Sequence, residues 1–464
     1  MAFLVQDLCL SFAQSLEDLI IVKLKIWAGL YRSAEVGTLY RHREHLGLQL
    51  TSITSHFMHL QLVRSCLLAN SHDPLIQKIF SRKSEHISSF AHRWSGPKAL
   101  STLAPIASHN IRFAGQTDHT GLGSMRSSYL SNPTAADLRA KISETHEQLQ
   151  EEKRMHHASC LVQQGVWTHW NDVRPFDLSW RNLIYGPGPR VVAFVLNAQI
   201  NSVRTPDMLK LWKKIESAEC RLCFHQQCTL HHLLVNCKFA LNQGRYTWRH
   251  DSVLANIEPT LTRLVEEFNS KKPLSRNESV QKSFRSCFVR AGQKPLSSKH
   301  KTNLKHGLLE VANDWALLSD YDNKKTIFPP AIFPTNERPD IVLWSRMSRN
   351  VILIELTCCA EEGIKAAEFR KQCRYFDLLN SINSSKTWTA TLLTIEVGAR
   401  GLVAGSTFRA FVKIGFPSRE ANVLCKTLSS VVARCSYAIY LAHNSQEWSH
   451  NSDLVLALAL EPLS

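Results

Sequence analysis

At 464 residues, 44% of them hydrophobic, the chain is long enough for several domains and at least one sizeable core, which excludes a wholly disordered protein. Lys and Arg number 55 against 39 Asp and Glu, a net charge of +16 that suits polyanionic partners, although charge alone fits a merely basic soluble protein equally well. The 13 cysteines, odd in number and mostly scattered, argue against a disulfide framework and for a reducing compartment.

The N-terminus, "MAFLVQDLCLSF", lacks the charged region and small-residue cleavage site of a signal peptide. The apolar stretch "LEDLIIVKLKIWAGL" is broken by Lys23 and Lys25 and is too short for a bilayer. The expectation is a soluble intracellular protein, in nucleus or cytoplasm, with no membrane partner. Residues 1–80 carry helical periodicity in "SLEDLIIVKLKIWAGLYRSAEV" and "SITSHFMHLQLVRSCLLANS". Residues 81–133 turn rich in Ser, His, Gly and Arg and are expected to be a linker.

Helical patterning returns over 134–215, opening on "TAADLRAKISETHEQLQEEKRMHHA", where Thr134 is placed to cap the start. From Trp167 to Ile215 the composition predicts short helices around aromatic side chains. Residues 216–268 contain "CRLCFHQQCTLHHLLVNC". Cys220 and Cys223 are separated by two residues, His232 follows after eight more, and Cys237 after four. Thiolates and imidazole suit Zn²⁺, and four ligands leave no open position, so the ion is expected to be structural. Cys228 and His231 compete for places. His232 is preferred because it leaves Leu230, Leu233 and Leu234 to pack beneath the knuckle.

Residues 269–306 form a basic linker, with ten Lys or Arg from Ser270 to His306 against the single acid Glu278. From 307 to 448 the pattern becomes α/β: a helix in "GLLEVANDWALL", strands in "PDIVLW" and "VILIELT", a helix in "EEGIKAAEFRKQCRYFDLLNSI", a strand in "TATLLTIEV", then amphipathic helices. Residues 449–464 are a C-terminal tail. The fold class expected is multi-domain, with a mostly helical N-terminal half, a small zinc knuckle and an α/β domain around a central mixed sheet.

Within "RPDIVLWSRMSRNVILIELT", Asp340 opens one apolar run and Glu355 sits inside another. A symmetric hairpin turning at Met347 and Ser348 puts the two opposite each other, with Cβ atoms roughly 4.5–5.5 Å apart. Bare carboxylates that close repel, and a shared Mg²⁺ or Mn²⁺ relieves the conflict. The next helix offers Lys371 as a cation, with Tyr375 one turn further on the same face. On spacing alone, a turn aspartate and a strand-end glutamate reaching solvent is the alternative.

These residues in this order resemble the C-terminal part of non-LTR retrotransposon proteins that carry a Cys-Cys-His-Cys knuckle followed by a restriction-like endonuclease of the PD-(D/E)xK kind. The knuckle, "ALNQGRYTWRHDSVL", "RPD", "ELT", "EFRKQCRYFDL" and "IEVGARGLV" carry the resemblance, which spans about Trp167 to Trp448 and extends more weakly to residues 30–80. It implies a hydrolase that nicks target DNA, with element RNA as a further partner. Zinc would sit on Cys220, Cys223, His232 and Cys237, and Mg²⁺ or Mn²⁺ on Asp340 and Glu355. Lys371 would position the attacking water, and Tyr375 would support it. Thr357 stands where related nucleases have lysine, Arg374 where a second lysine is usual, and Cys358–Cys359 where Val-Pro is usual. No polymerase Y/F-x-D-D centre occurs, so the chain is not a reverse transcriptase by itself. An inactive relic, or a knuckle protein that only binds nucleic acid, is the alternative.

Overall fold

The computed structural model describes residues 9–69, 71, 73–76, 78, 134–174, 188–271, 307–321 and 326–448. The expected linker 81–133, nearly all of the basic linker 269–306 and the tail 449–464 lie outside the described residues. The chain forms two compact units, Met1–Trp27 with Tyr31–Gly165, and Ala28–Leu30 with Val166–Ser464. Among the described residues no helix is long and apolar enough to cross a membrane.

The first unit is helical: α1 (Leu10–Trp27), α2 (Ile53–Ala69) and α3 (Ala135–Cys160). α1 stops before the end of its apolar periodicity, ahead of Gly29 at φ +65°, a conformation that L side chains disfavour. Thr134 caps α3 as its sequence predicts. Its hydroxyl accepts the Asp137 N–H (3.2 Å) and Asp137 Oδ2 accepts the Thr134 N–H (3.0 Å), so two otherwise orphaned donors are satisfied. α2 and α3 meet through two Ser–His pairs, Ser55 with His146 (3.0 Å) and Ser143 with His59 (2.8 Å).

In the second unit α4 (Pro189–Gln199) leads to the cysteine cluster, then α5 (Arg245–Asn269) and a four-stranded sheet. The strands are β1 (Trp315–Ser319), β2 (Ile341–Ser345), β3 (Asn350–Cys359) and β4 (Thr389–Gly398), in that spatial order. β1 and β2 are antiparallel, as are β2 and β3. β3 and β4 are parallel, joined by α6 (Ile364–Ser384). α7 (Gly405–Ile414) and α8 (Ser418–Leu441) follow. The fold is therefore mixed helix and sheet, with the hairpin in the middle of a mixed sheet.

Alternation along β3 explains the layers. Ile352, Ile354 and Leu356 join Ile395 and Val397 in a core with Leu254, Ile257 and Leu261 of α5, Phe411 of α7 and Leu428 of α8. Val351 and Leu353 face the other way, into a core with Tyr375, Leu378 and Ile382 of α6. By the same alternation Glu355 and Thr357 lie on the α6 face, beside their β4 partners Thr394 and Glu396. This face is apolar at one end and polar at the C-terminal ends of the two parallel strands.

One expected element is corrected. "GLLEVANDWALL" is a single 3₁₀ turn, Leu308–Val311, followed by strand β1. Tertiary partners override the helical pattern. Trp315 to Ser319 pair with Ser345 to Ile341, and the Trp315 backbone N–H and C=O are both taken by the Asn269 side chain at 2.8 Å. Asp314 holds the hairpin turn by accepting from the Ser345 hydroxyl and the Met347 N–H (2.9 Å).

The exit of β4 is set by a buried ion pair. Glu361 Oε1 accepts the Arg400 N–H (2.7 Å) and Oε2 the Arg400 guanidinium (2.9 Å), which also reaches Glu362 (2.8 Å) and lies over Trp170. Gly398 makes room for it, since a Cβ there would stand 2.3 Å from Glu361 Oε1. Gly398→Ala must displace a carboxylate already held by two hydrogen bonds. It is expected to cost about 2 kcal/mol or more in urea unfolding, against near-neutrality at the open position Gly363→Ala.

Candidate metal centre and carboxylate site

Cys220 and Cys223 lie on a turn, His232 opens a short π-helical segment (His232–Asn236), and Cys237 caps its end. One ligand atom from each comes within 4.8 Å of all the others, a spacing a tetrahedral zinc ion fits. Cys223 Sγ is 3.2 Å from His232 Nε2, so Nε2 is the nitrogen turned to the centre. Leu230, Leu233 and Leu234 are buried beneath, which favours His232 over His231 as the sequence suggests. Cys228 is buried against Cys220 and is outside the group of four.

The donors are suited to a cation. Burial disfavours a charged Cys220, but backbone N–H groups of Cys223 and Leu222 directed at its sulfur outweigh it and lower the thiol pKa. Burial pushes the Cys237 thiol up to about 11, so its thiolate needs positive charge at the centre. Burial also lowers His232, keeping the imidazole neutral as a ligand must be, and His225 stacks on it at 4.6 Å between centroids. A Cys3His cluster able to bind a metal such as zinc is thus present.

The second group forms at the polar end of the sheet. β2 and β3 pair in the register expected, Ile341 with Ile354 and Ser345 with Asn350, so Asp340 comes opposite Glu355 one step beyond the ladder. Each acid accepts a backbone N–H from the other segment: Leu356 N–H to Asp340 Oδ2 (2.7 Å) and Asp340 N–H to Glu355 Oε2 (3.2 Å). Glu355 is 2% exposed, so it does not reach solvent as a strand-end glutamate would.

α6 brings both expected partners to Glu355. Lys371 Nζ forms an ion pair with Oε1, and the Tyr375 hydroxyl donates to Oε2 (3.0 Å), with Arg374 at 4.0 Å. Burial and the nearby Asp340 charge raise the Glu355 pKa, against the pull of Lys371 and Tyr375. Burial raises Tyr375 well above the ordinary tyrosine range, so it remains a donor. Thr357 is paired in register with Glu396 and has no hydrogen-bond partner at its hydroxyl.

Two residues near this end were not singled out in the sequence. His250, on α5, puts Nδ1 3.0 Å from Asp251 and Nε2 3.4 Å from Asp340. Burial opposes its charge, but those two hydrogen-bonded acids raise its pKa to about 10. Glu396 is fully buried in β4, accepts from the Ser406 hydroxyl (2.6 Å), and is pushed toward its neutral form by burial. Glu396 carries the signal that marks Glu355, an acid inside an apolar strand. His250 lies in the stretch "ALNQGRYTWRHDSVL", but nothing local ties it to Asp340.

Two outcomes follow. Purified protein should carry about one zinc that is lost in Cys220→Ser and His232→Ala but kept in Cys228→Ser, by metal analysis. For Glu355, a folded-state pKa above the unfolded one means the native state binds the extra proton. Without added metal, stability therefore falls as pH rises from the ordinary carboxylate range through the raised value. Glu355→Gln should lack that fall and be at least as stable as the parent at neutral pH, as checked by urea unfolding at several pH values. No protein-family model matches the chain, and no curated protein matches it.

Proposed function

We propose that this chain is a metal-dependent DNA endonuclease of the restriction-like kind, the nicking portion of a non-LTR retrotransposon protein. The observation that carries this is the convergence on one sheet end of two opposed acids, a lysine and a tyrosine from the segment 338–375. The donor set fits a hard divalent cation. Asp340 and Glu355 would hold it through their carboxylate oxygens, and one or two protein carboxylates are the kind of donor set Mg²⁺ takes. A Mg²⁺ or Mn²⁺ ion there supplies polarisation of a phosphoryl oxygen and a more acidic bound water.

The protein's own groups have separable parts. Tyr375 fixes one oxygen of Glu355, leaving the other for a cation. Lys371 pairs with that other oxygen here; were a cation held by Asp340 and Glu355, the ammonium would be the group to position the attacking water or offset charge developing on phosphate. In this reading the Cys3His cluster and the positive charge of the sequence from Ser270 to His306 bind DNA, and element RNA is a second ligand.

A second possibility, a nucleic-acid-binding module without activity, draws on the same ion pair. Lys371 already pairs with Glu355, so the buried charge of that acid is partly offset without a metal. Nicking of supercoiled DNA separates the two. The nuclease predicts Mg²⁺- or Mn²⁺-dependent nicking by the parent, abolished in Asp340→Ala and Glu355→Ala and lost in Lys371→Ala, with a smaller loss in Tyr375→Phe. DNA binding should persist in all four. A parent that binds DNA but never nicks it is the binding module. A parent nicking as well as both carboxylate variants would remove these acids from the chemistry.

A further inference from the structure

α5 touches both the Cys3His cluster and the carboxylate pair, and does so within one turn. The Tyr246 hydroxyl accepts the Cys237 N–H (3.0 Å) and donates to the Leu233 carbonyl (2.9 Å). The Arg249 guanidinium, 1% exposed, donates to the Leu234 carbonyl (2.9 Å) and to Ser436 Oγ (3.1 Å). His250 is the next residue, and its Nε2 lies 3.4 Å from Asp340 Oδ2. Positions 246, 249 and 250 are i, i+3 and i+4 neighbours on one helical face. Through them the backbone of residues 233–237 is linked to Asp340 by side chains on a single rigid turn.

The Asp340 oxygen that faces His250 is the one that accepts the Leu356 N–H (2.7 Å). His250 therefore bears on the hydrogen bond that orients the first acid against the second. Residues 233–237 depend in turn on the metal cluster. They hold Cys237, and five residues of π-helix are poorly stabilised unless their ends are tied.

We propose that His250 is a positioning residue for Asp340, and that metal in the Cys3His cluster sets its place by holding residues 233–237 against Tyr246 and Arg249. The knuckle is then a remote determinant of the carboxylate geometry as well as a candidate DNA contact. This builds on the carboxylate site proposed above, although the coupling itself is a property of the free protein and requires neither DNA nor a divalent ion at Asp340.

Hydrogen exchange of the full chain, read by mass spectrometry at single-amide resolution, tests it. Chelating the zinc should speed exchange of the Leu356 amide on the order of tenfold, the scale set by one hydrogen bond to a charged acceptor, while Leu343 and Ile352 at the hairpin centre keep their protection. His250→Asn, too short to reach Asp340, should reproduce the effect at Leu356 without loss of zinc. His250→Gln, which keeps a donor at similar reach, should restore protection. Equal Leu356 exchange with and without zinc would overturn the proposal. So would a loss that spreads equally to Leu343 and Ile352, since that is general unfolding. Nicking is scored separately: a coupled but inactive parent removes the nuclease and leaves the coupling, whereas an active, uncoupled parent does the reverse.

Discussion

A carboxylate carried into the interior of a sheet is the constraint around which this end of the molecule is arranged. Glu355 has apolar neighbours on its own strand and a core behind it, so water cannot solvate its charge. Its two oxygens are instead satisfied by Lys371 and Tyr375 from α6 and by the N–H of Asp340. The apolar packing of α6 on Val351 and Leu353 places Lys371 and Tyr375 over the acid. The opposed Asp340 is left short of compensation, which the Leu356 N–H and His250 provide. Truncating either cation would strand a charge in low dielectric, which costs more than the pair itself contributes.

Polar groups continue along the same end of the parallel strands. Glu396 lies in register with Thr357, and the Glu361–Arg400 pair closes the exit of β4. Burial raises the pKa of all three glutamates, Glu355, Glu361 and Glu396, and each is held by a different device: a lysine and a phenol, a guanidinium, and a serine hydroxyl. Of the three, Glu355 is the one with a second carboxylate facing it across the hairpin, that of Asp340.

What could be read in advance followed the reach of the physics. The hairpin register was legible because strand alternation and a turn centred on Met347 and Ser348 both act locally. The Cys3His set was legible because zinc demands fixed donor types at short spacing. The α6 partners were legible from helical periodicity. β1 was not, since its strand state depends on Asn269 and on pairing with β2. His250 was also hidden, because only folding brings α5 to Asp340. Glu396 showed the right signal, but no second acid faces it on the neighbouring strand to give it weight.

The contiguity of the carboxylate group bears on how the chain assembles. The hydrogen bonds among Asp340, Glu355, Leu356, Lys371 and Tyr375 join residues 15 to 20 positions apart, within one hairpin and the helix that follows it. Loops that short close at low entropic cost, so this cluster belongs to the fast, low-contact-order part of folding. The contacts of α5 with β1 and Asp340 span much longer stretches of chain and carry a larger closure cost. The hairpin and α6 alone bring together the two facing acids, the lysine and the tyrosine, and the distant α5 adds His250.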